Sequence, residues 1–220
     1  MRISLVLLFL TCPAFADETA DHAPKDVPQE AMQVEPRHHS RFSFAMGPAW
    51  MHSLADNYSP AFTANGFSAP GRDRVALDLL GYWTTETRWQ LGIGLDTVSF
   101  EKNNGTYAAD FSNDVLGLFV GRNLSASDDT DFSVGGILGV NSAELNVFSA
   151  ARNGRLRESA AVVAPSVGYA SRVSRAVKIG LRAAYWLPFG ESTQITGQDL
   201  AVGRIGIRGF SLALHVIFGR

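Results

Sequence analysis

Several sets of residues in this chain are of types that could do chemistry. His52 and Ser53 are neighbours and His38 and Ser40 stand two apart; a histidine that takes the proton of a serine hydroxyl makes an acyl-transfer nucleophile. Arg74, Asp78, Asp96, Arg182, Arg208 and His215 lie inside runs otherwise rich in apolar residues and glycine, where a charge is tolerated only if it is paired. Arg152, Arg155 and Arg157 crowd the segment "AARNGRLR", with no acid before Glu158, and arginine suits bidentate binding of phosphate. His38 and His39 have no third ligand, so the pair makes a weak metal site and no metal or other cofactor is expected.

What these groups can do depends on the elements that carry them. From Arg41 onward the hydropathy alternates with a period of two, and helical spacing is nowhere sustained. The last residues, "GFSLALHVIFGR", show the pattern: Phe210, Leu212, Leu214, Val216 and Phe218 share one apolar face, with Ser211, Ala213, His215 and Ile217 behind. Eight such strands are expected, near 41–53, 73–84, 88–101, 111–123, 131–145, 158–170, 176–188 and 204–218. Tight connections at 85–87, 125–130 and 171–175 alternate with longer ones at 54–72, 102–110, 146–157 and 189–203. Alternating short turns and long loops, with strands of about 9 to 11 residues or more, are the signature of an even-stranded barrel that crosses a bilayer. Trp83, Trp89, Phe132, Tyr169 and Phe218 would form a girdle at the short-turn end, and Trp50, Phe100, Tyr185 or Trp186, and Phe189 one at the other.

Facing then sorts the chemistry. Phe42, Phe44, Met46 and Trp50 point one way, and the charges Arg74, Asp78, Asp96 and Arg182 point the other, into the lumen. There Asp78 and Asp96, on adjacent strands, could meet Arg182 or Arg74, with His215 and Arg208 as further members. The runs "VLGLFVGR" and "FSVGGILGV" are apolar on both faces and leave the register of the fourth and fifth strands open. His52 and Ser53, being adjacent, point to opposite faces, and His38 and Ser40 precede the first strand; neither pair has a recognisable acid beside it. "GIG" at 92–94 and "GGILG" at 135–139 lead into no helix, so they read as close strand packing or bending rather than phosphate loops.

The first sixteen residues, "MRISLVLLFLTCPAFA", combine a basic start, an apolar run and a small-residue cleavage pattern, which is a secretory signal. Residues 17 to 40, with Pro24, Pro28, Pro36 and many charges, read as a flexible periplasmic segment. The one cysteine, Cys12, falls inside the signal, so the mature chain holds no disulfide and no thiolate. Lysine and arginine number 19 against 21 aspartate and glutamate, which gives no bulk attraction to nucleic acid.

On "FSLALHVIF" and the architecture of residues 41 to 220, the chain resembles the small eight-stranded outer-membrane barrels of Gram-negative bacteria, a group that includes the opacity proteins and the barrel domain of outer membrane protein A. The resemblance implies an all-β, antiparallel, up-and-down transmembrane barrel in the bacterial outer membrane, inserted by the barrel assembly machinery. It implies a non-enzymatic surface-interaction or envelope-integrity role exercised through the outer loops. Its partners would be outer-membrane lipid and lipopolysaccharide, with Arg152, Arg155 and Arg157 as contacts to lipid phosphate. Two alternatives stand beside it. One is a lipid-modifying barrel similar to the lipid A deacylases, whose histidine and serine stand two apart on one strand face; the other is a soluble periplasmic binding barrel.

Overall fold

Period-two alternation builds eight strands: β1 (Arg41–Ser53), β2 (Asp73–Thr84), β3 (Trp89–Asn103), β4 (Ala108–Asn123), β5 (Thr130–Phe148), β6 (Asn153–Arg172), β7 (Val177–Gly197) and β8 (Gly209–Gly219). A short helix, α1 (Ser59–Ala64), lies between β1 and β2. The computed structural model describes residues 41–53, 59–106, 108–125, 127, 129–148, 153–197 and 205–219; the expected signal sequence, the segment 17–40 and Arg152 lie outside them. Each strand pairs antiparallel with its chain neighbour, and β1 pairs with β8 to close the barrel. Closure removes the exposed edges that would otherwise need covering, and in lipid it gives the backbone groups of β1 and β8 partners along the seam, with a gap in the pairing at Gly47 and Pro48.

The exterior is apolar over a belt and polar above it. Phe42, Phe44, Met46, Trp50, Leu77, Leu91, Ile93, Leu116, Leu118, Leu138, Val140, Leu181, Leu212 and Leu214 are all exposed. A contiguous apolar surface of this extent on a closed barrel is a lipid-facing surface. The belt stops at one level on successive strands, where the outward residues become His52, Asp73, Thr97, Asp114, Ser142 and Arg157. Trp83, Trp89, Phe132, Tyr169 and Phe218 are exposed at the short-turn end, as expected of a girdle. At the other end Trp50 and Phe189 are exposed, but Trp186 is buried and Phe100 turns inward to pack on Phe111, with centroids 4.8 Å apart. Of the alternatives Tyr185 and Trp186 it is Tyr185 that shares the outward parity of Leu181 and Phe189, so the expected outer girdle is smaller by Phe100.

Strand limits differ from the expectation chiefly at the long-connection end. β3 begins at Trp89 because Arg88 takes a left-handed turn conformation, φ 67°. The connections expected at 102–110, 146–157 and 189–203 are largely strand, since β4, β5, β6 and β7 run on beyond the lipid belt. The cause lies in the inward positions, where Ala109, Phe111, Leu145, Val147 and Leu156 are all buried. Polar outward residues there had the appearance of loop, while the inward ones go on demanding a sheet.

The two strands of open register are fixed by packing across the lumen. Val115 and Phe119 point in, Leu116, Leu118 and Val120 point out, and Ile137 is the inward residue of β5. A Cβ at Gly94 or Gly117 would come within 2.6 Å of the Ile137 side chain. These glycines make room for one large residue from a neighbouring strand, so the glycine-rich runs serve close packing.

Candidate functional site

β2, β3, β7 and β8 bring four ionisable residues to one level of the lumen. Asp78 and Asp96 are direct cross-strand partners, an arrangement of like charges that is destabilising unless a cation answers it. Arg182 supplies the cation: its Nε donates to Asp78 Oδ2 at 3.1 Å, and its Nη2 donates to the same oxygen and to Asp96 Oδ2, the latter at 3.4 Å. His215 Nε2 lies 3.2 Å from Asp78 Oδ2. All four residues are buried. Below them a cavity of about 40 Å³, lined in part by Gln90, Ser166, Arg182 and His215, is large enough for water. The arrangement neutralises buried charge and fixes four strands in register; it contains no nucleophile.

Two residues expected in this network lie elsewhere. Arg74 shares the inward parity but sits two inward positions higher on β2 than Asp78, with its guanidinium 4.3 Å from the Phe100 ring centroid. Arg208 precedes β8 and is exposed at the rim, where its carbonyl accepts from Ser53 Oγ at 3.3 Å. Parity specifies a face; it says nothing of height along the barrel axis.

Above the quartet the lumen is filled by side chains from both walls and connections. Trp186 is buried and donates from Nε1 to Ser211 Oγ at 2.9 Å. Phe62 of α1 is fully buried, stacked on Phe100 at 5.7 Å and against Phe111 at 6.0 Å. The chain after α1 is tied to the β3–β4 hairpin by Asn104 Nδ2 donating to Gly66 O at 2.9 Å and Lys102 Nζ donating to Ser68 Oγ at 3.0 Å. From the opposite wall Ile205 and Ile207 are buried before β8 begins.

Glu158, read from sequence only as the end of the arginine segment, holds that last stretch. Its carboxylate accepts from Ile205 N at 2.7 Å and Gly206 N at 3.0 Å, and the residue is 2 % exposed. The signal for it was its parity, since Leu156, Glu158, Ala160 and Val162 are consecutive inward positions of β6. Glu158→Ala should cost about 1–3 kcal/mol, the penalty for two buried amides left unpaired. Hydrogen exchange at Ile205 and Gly206 should rise more than exchange in the middle of β8; unchanged protection at these two amides would contradict the latch.

Arg155 and Arg157 stand on β6 and not on a loop. The Arg155 guanidinium pairs with Glu144 across the β5–β6 ladder, while Arg157 is exposed, 3.5 Å from Ser142 Oγ. His52, for which the chain offered no acid nearby, has one in space: its Nδ1 lies 2.8 Å from Asp73 Oδ1, across the β1–β2 register. Ser53 is buried on the opposite face, so it is not the serine this oriented imidazole could activate.

A closed antiparallel sheet with a plugged, charge-paired lumen and an apolar, aromatic-edged exterior defines a class: the chain is an eight-stranded β-barrel of the bacterial outer membrane. Solved structures share the fold. The attachment invasion locus protein of Yersinia pestis aligns over 83 % of this chain and 99 % of its own, with a TM-score of 0.54 and 10 % identity. Its complex with the heparin analogue sucrose octasulfate aligns at 0.55 over the same shares, also at 10 % identity. A major outer membrane protein from Thermus thermophilus aligns over 83 % of this chain and 100 % of its own, with a TM-score of 0.58 and 8 % identity. No family model and no curated protein matches the sequence.

Proposed function

We propose that this protein is a non-enzymatic outer-membrane barrel that presents its extended sheet at the cell surface, in a surface-interaction or envelope-integrity role. One observation carries the reading: the lumen is packed shut while β4, β5, β6 and β7 continue beyond the lipid belt. A transporter would spend its chain on an open path; here the added length goes into wall and plug. The reading of residues 1 to 16 as a secretory signal and the rule that short turns face the periplasm support an outward-facing wall. Lipopolysaccharide is the nearest partner for it. Arg157 is exposed, whereas Arg155 is already engaged by Glu144, so of the two it is Arg157 that would meet lipid phosphate. The Yersinia pestis barrel in complex with a polysulfated sugar supports an anionic partner for a wall of this kind.

The purified barrel should give no stable conductance steps in planar bilayers, because Tyr82, Ile137, Arg182 and Trp186 leave no continuous aqueous path. Large reproducible single-channel steps would overturn the plugged lumen. Overexpression should leave the mass of lipid A unchanged, since Ser53, the serine beside His52, lies on the face opposite the His52–Asp73 pair. A loss of one acyl chain would establish the lipid-modifying alternative.

A further inference from the structure

We propose that the girdle at the short-turn end binds the phosphate of an inner-leaflet phospholipid, with Arg122 as its contact and Arg88 beside it. Arg122 is the last outward residue of β4 and is exposed. Among the described residues it is the one charge on the outward face between the level of Asp73, Asp114 and Arg157 and the short turns. Its surroundings are apolar. Trp89 faces it across the ladder on β3 and Val134 on β5, and Val120 and Leu124 stand on either side of it along the chain, all four exposed. The Arg122 guanidinium carbon lies 5.7 Å from the centroid of the Trp89 ring, which holds the cation at the girdle. Arg122 makes no ion pair among the described residues. Of the acids on the short turns, Asp129 is held by Arg172 at 3.1 Å and Asp131 by Lys178 at 2.6 Å, while Glu86 stands exposed at the tip of the first turn.

A second cation borders the same ring. Arg88 precedes Trp89 and holds a left-handed conformation, φ 67°, that favours glycine. Its Nη1 donates to Ser125 O at 2.6 Å, so the guanidinium reaches from the first short turn to the second, beside Leu124. An arginine kept where glycine would fit with less strain points to a use for its side chain. Depth then identifies the source of the phosphate. Phe42 and Trp83, centroids 6.1 Å apart, continue the girdle on β1 and β2, and the exposed Leu91 and Val120 begin the lipid belt next to it. Such a girdle lies where hydrocarbon gives way to headgroups. A guanidinium at that depth meets phosphodiester oxygens, which it matches bidentately. The phosphate over Trp89 thus belongs to a lipid whose chains lie against Leu91 and Val120, and not to a solute from bulk water.

The choice of leaflet rests on the reading that short turns face the periplasm. The test uses the full chain refolded in maltoside micelles, which carry no phosphate, with bound lipid counted by native mass spectrometry. The probes are dioleoyl phosphatidylglycerol, dioleoylglycerol, which has the same chains and no phosphate, and phosphatidylglycerol with a large excess of inorganic phosphate. Arg122→Gln should weaken phosphatidylglycerol binding about tenfold, the expected loss of a charge-assisted contact. Arg88→Gly, which suits the turn better, should still weaken it at least about threefold; unchanged binding would remove Arg88 from the site. Arg175→Gln takes an exposed cation from the turn between β6 and β7 and should change binding by less than about threefold. Dioleoylglycerol should bind the native protein as weakly as phosphatidylglycerol binds Arg122→Gln, and inorganic phosphate should displace nothing. Equal affinity in native protein and Arg122→Gln, an equal loss in Arg175→Gln, or displacement by inorganic phosphate would each overturn the site. Should Arg122→Gln fail to refold, the native protein decides: equal binding of the two lipids counts against the proposal. Gel mobility before and after boiling reports the barrel separately, and a native chain without a heat-dependent shift would instead refute the barrel reading.

Discussion

Arg182→Ala is expected to destabilise the barrel by about 3–5 kcal/mol, the cost of removing one partner from a buried ion-pair cluster. Arg182 is the only guanidinium that reaches Asp78 and Asp96 among the described residues. Without it two carboxylates face each other across the β2–β3 ladder, with His215 3.2 Å from one of them as the remaining basic group. Neither carboxylate can escape to bulk water, because the plug built on Phe62 and Trp186 covers the level above and Tyr82 packs on Phe119 below, centroids 6.0 Å apart. The penalty is therefore one of stranded charge, and it should vanish when the charges go together. Arg182→Met combined with Asp78→Asn and Asp96→Asn should lie near the native stability, as uncharged replacements of buried clusters often do. Guanidinium titration of the barrel refolded in phosphatidylcholine vesicles, followed by tryptophan fluorescence, compares the two. A triple variant as unstable as Arg182→Ala would mean that the arginine acts through its packing volume and not through its charge.

The same cluster shows how far residue order leads and where it stops. Asp78 and Asp96 share the inward parity, and the tight turn at 85–87 folds β2 onto β3, so their meeting is legible within a short stretch of chain. Arg182 lies 104 residues from Asp78, and its contact exists only because the sheet closes and the barrel is narrow enough for one side chain to cross it. Arg74 and Arg208 lie outside the cluster although alternation groups them with it, because alternation encodes a face and carries no coordinate along the barrel axis. For His52 and Asp73, the partner lies 21 residues away and depends on register alone. The wall beyond the membrane went unread for another reason. Asp110, Glu144, Asn146, Arg155 and Arg157 all point outward and have the composition of loop, and only the intervening buried positions show that the strand persists. Composition averages the two faces; only their separation distinguishes an exposed strand from a connection.

Leu214→Arg tests that separation on the strand with the plainest alternation. Leu214 is 50 % exposed, pairs with Leu181 and lies midway between Phe210 and Phe218, which puts it near the middle of the lipid belt. An arginine there should cost about 2–4 kcal/mol, the penalty for a cation on the lipid face at the bilayer midplane. His215, the next residue, is 3 % exposed and points at Asp78. Lysine at this position would place its cation beside two carboxylates that have only Arg182 to answer them, and the cavity lined by His215 can take up part of the longer side chain. His215→Lys should accordingly cost less than Leu214→Arg in the same vesicle titration, although position 215 is by far the more deeply enclosed. For a soluble barrel the order reverses: arginine on the exposed face would be nearly free, and enlarging the buried residue would be the damaging change. The sign of the difference between two adjacent substitutions thus reports which solvent the outer face meets, and a smaller loss for Leu214→Arg would refute a lipid-facing β8.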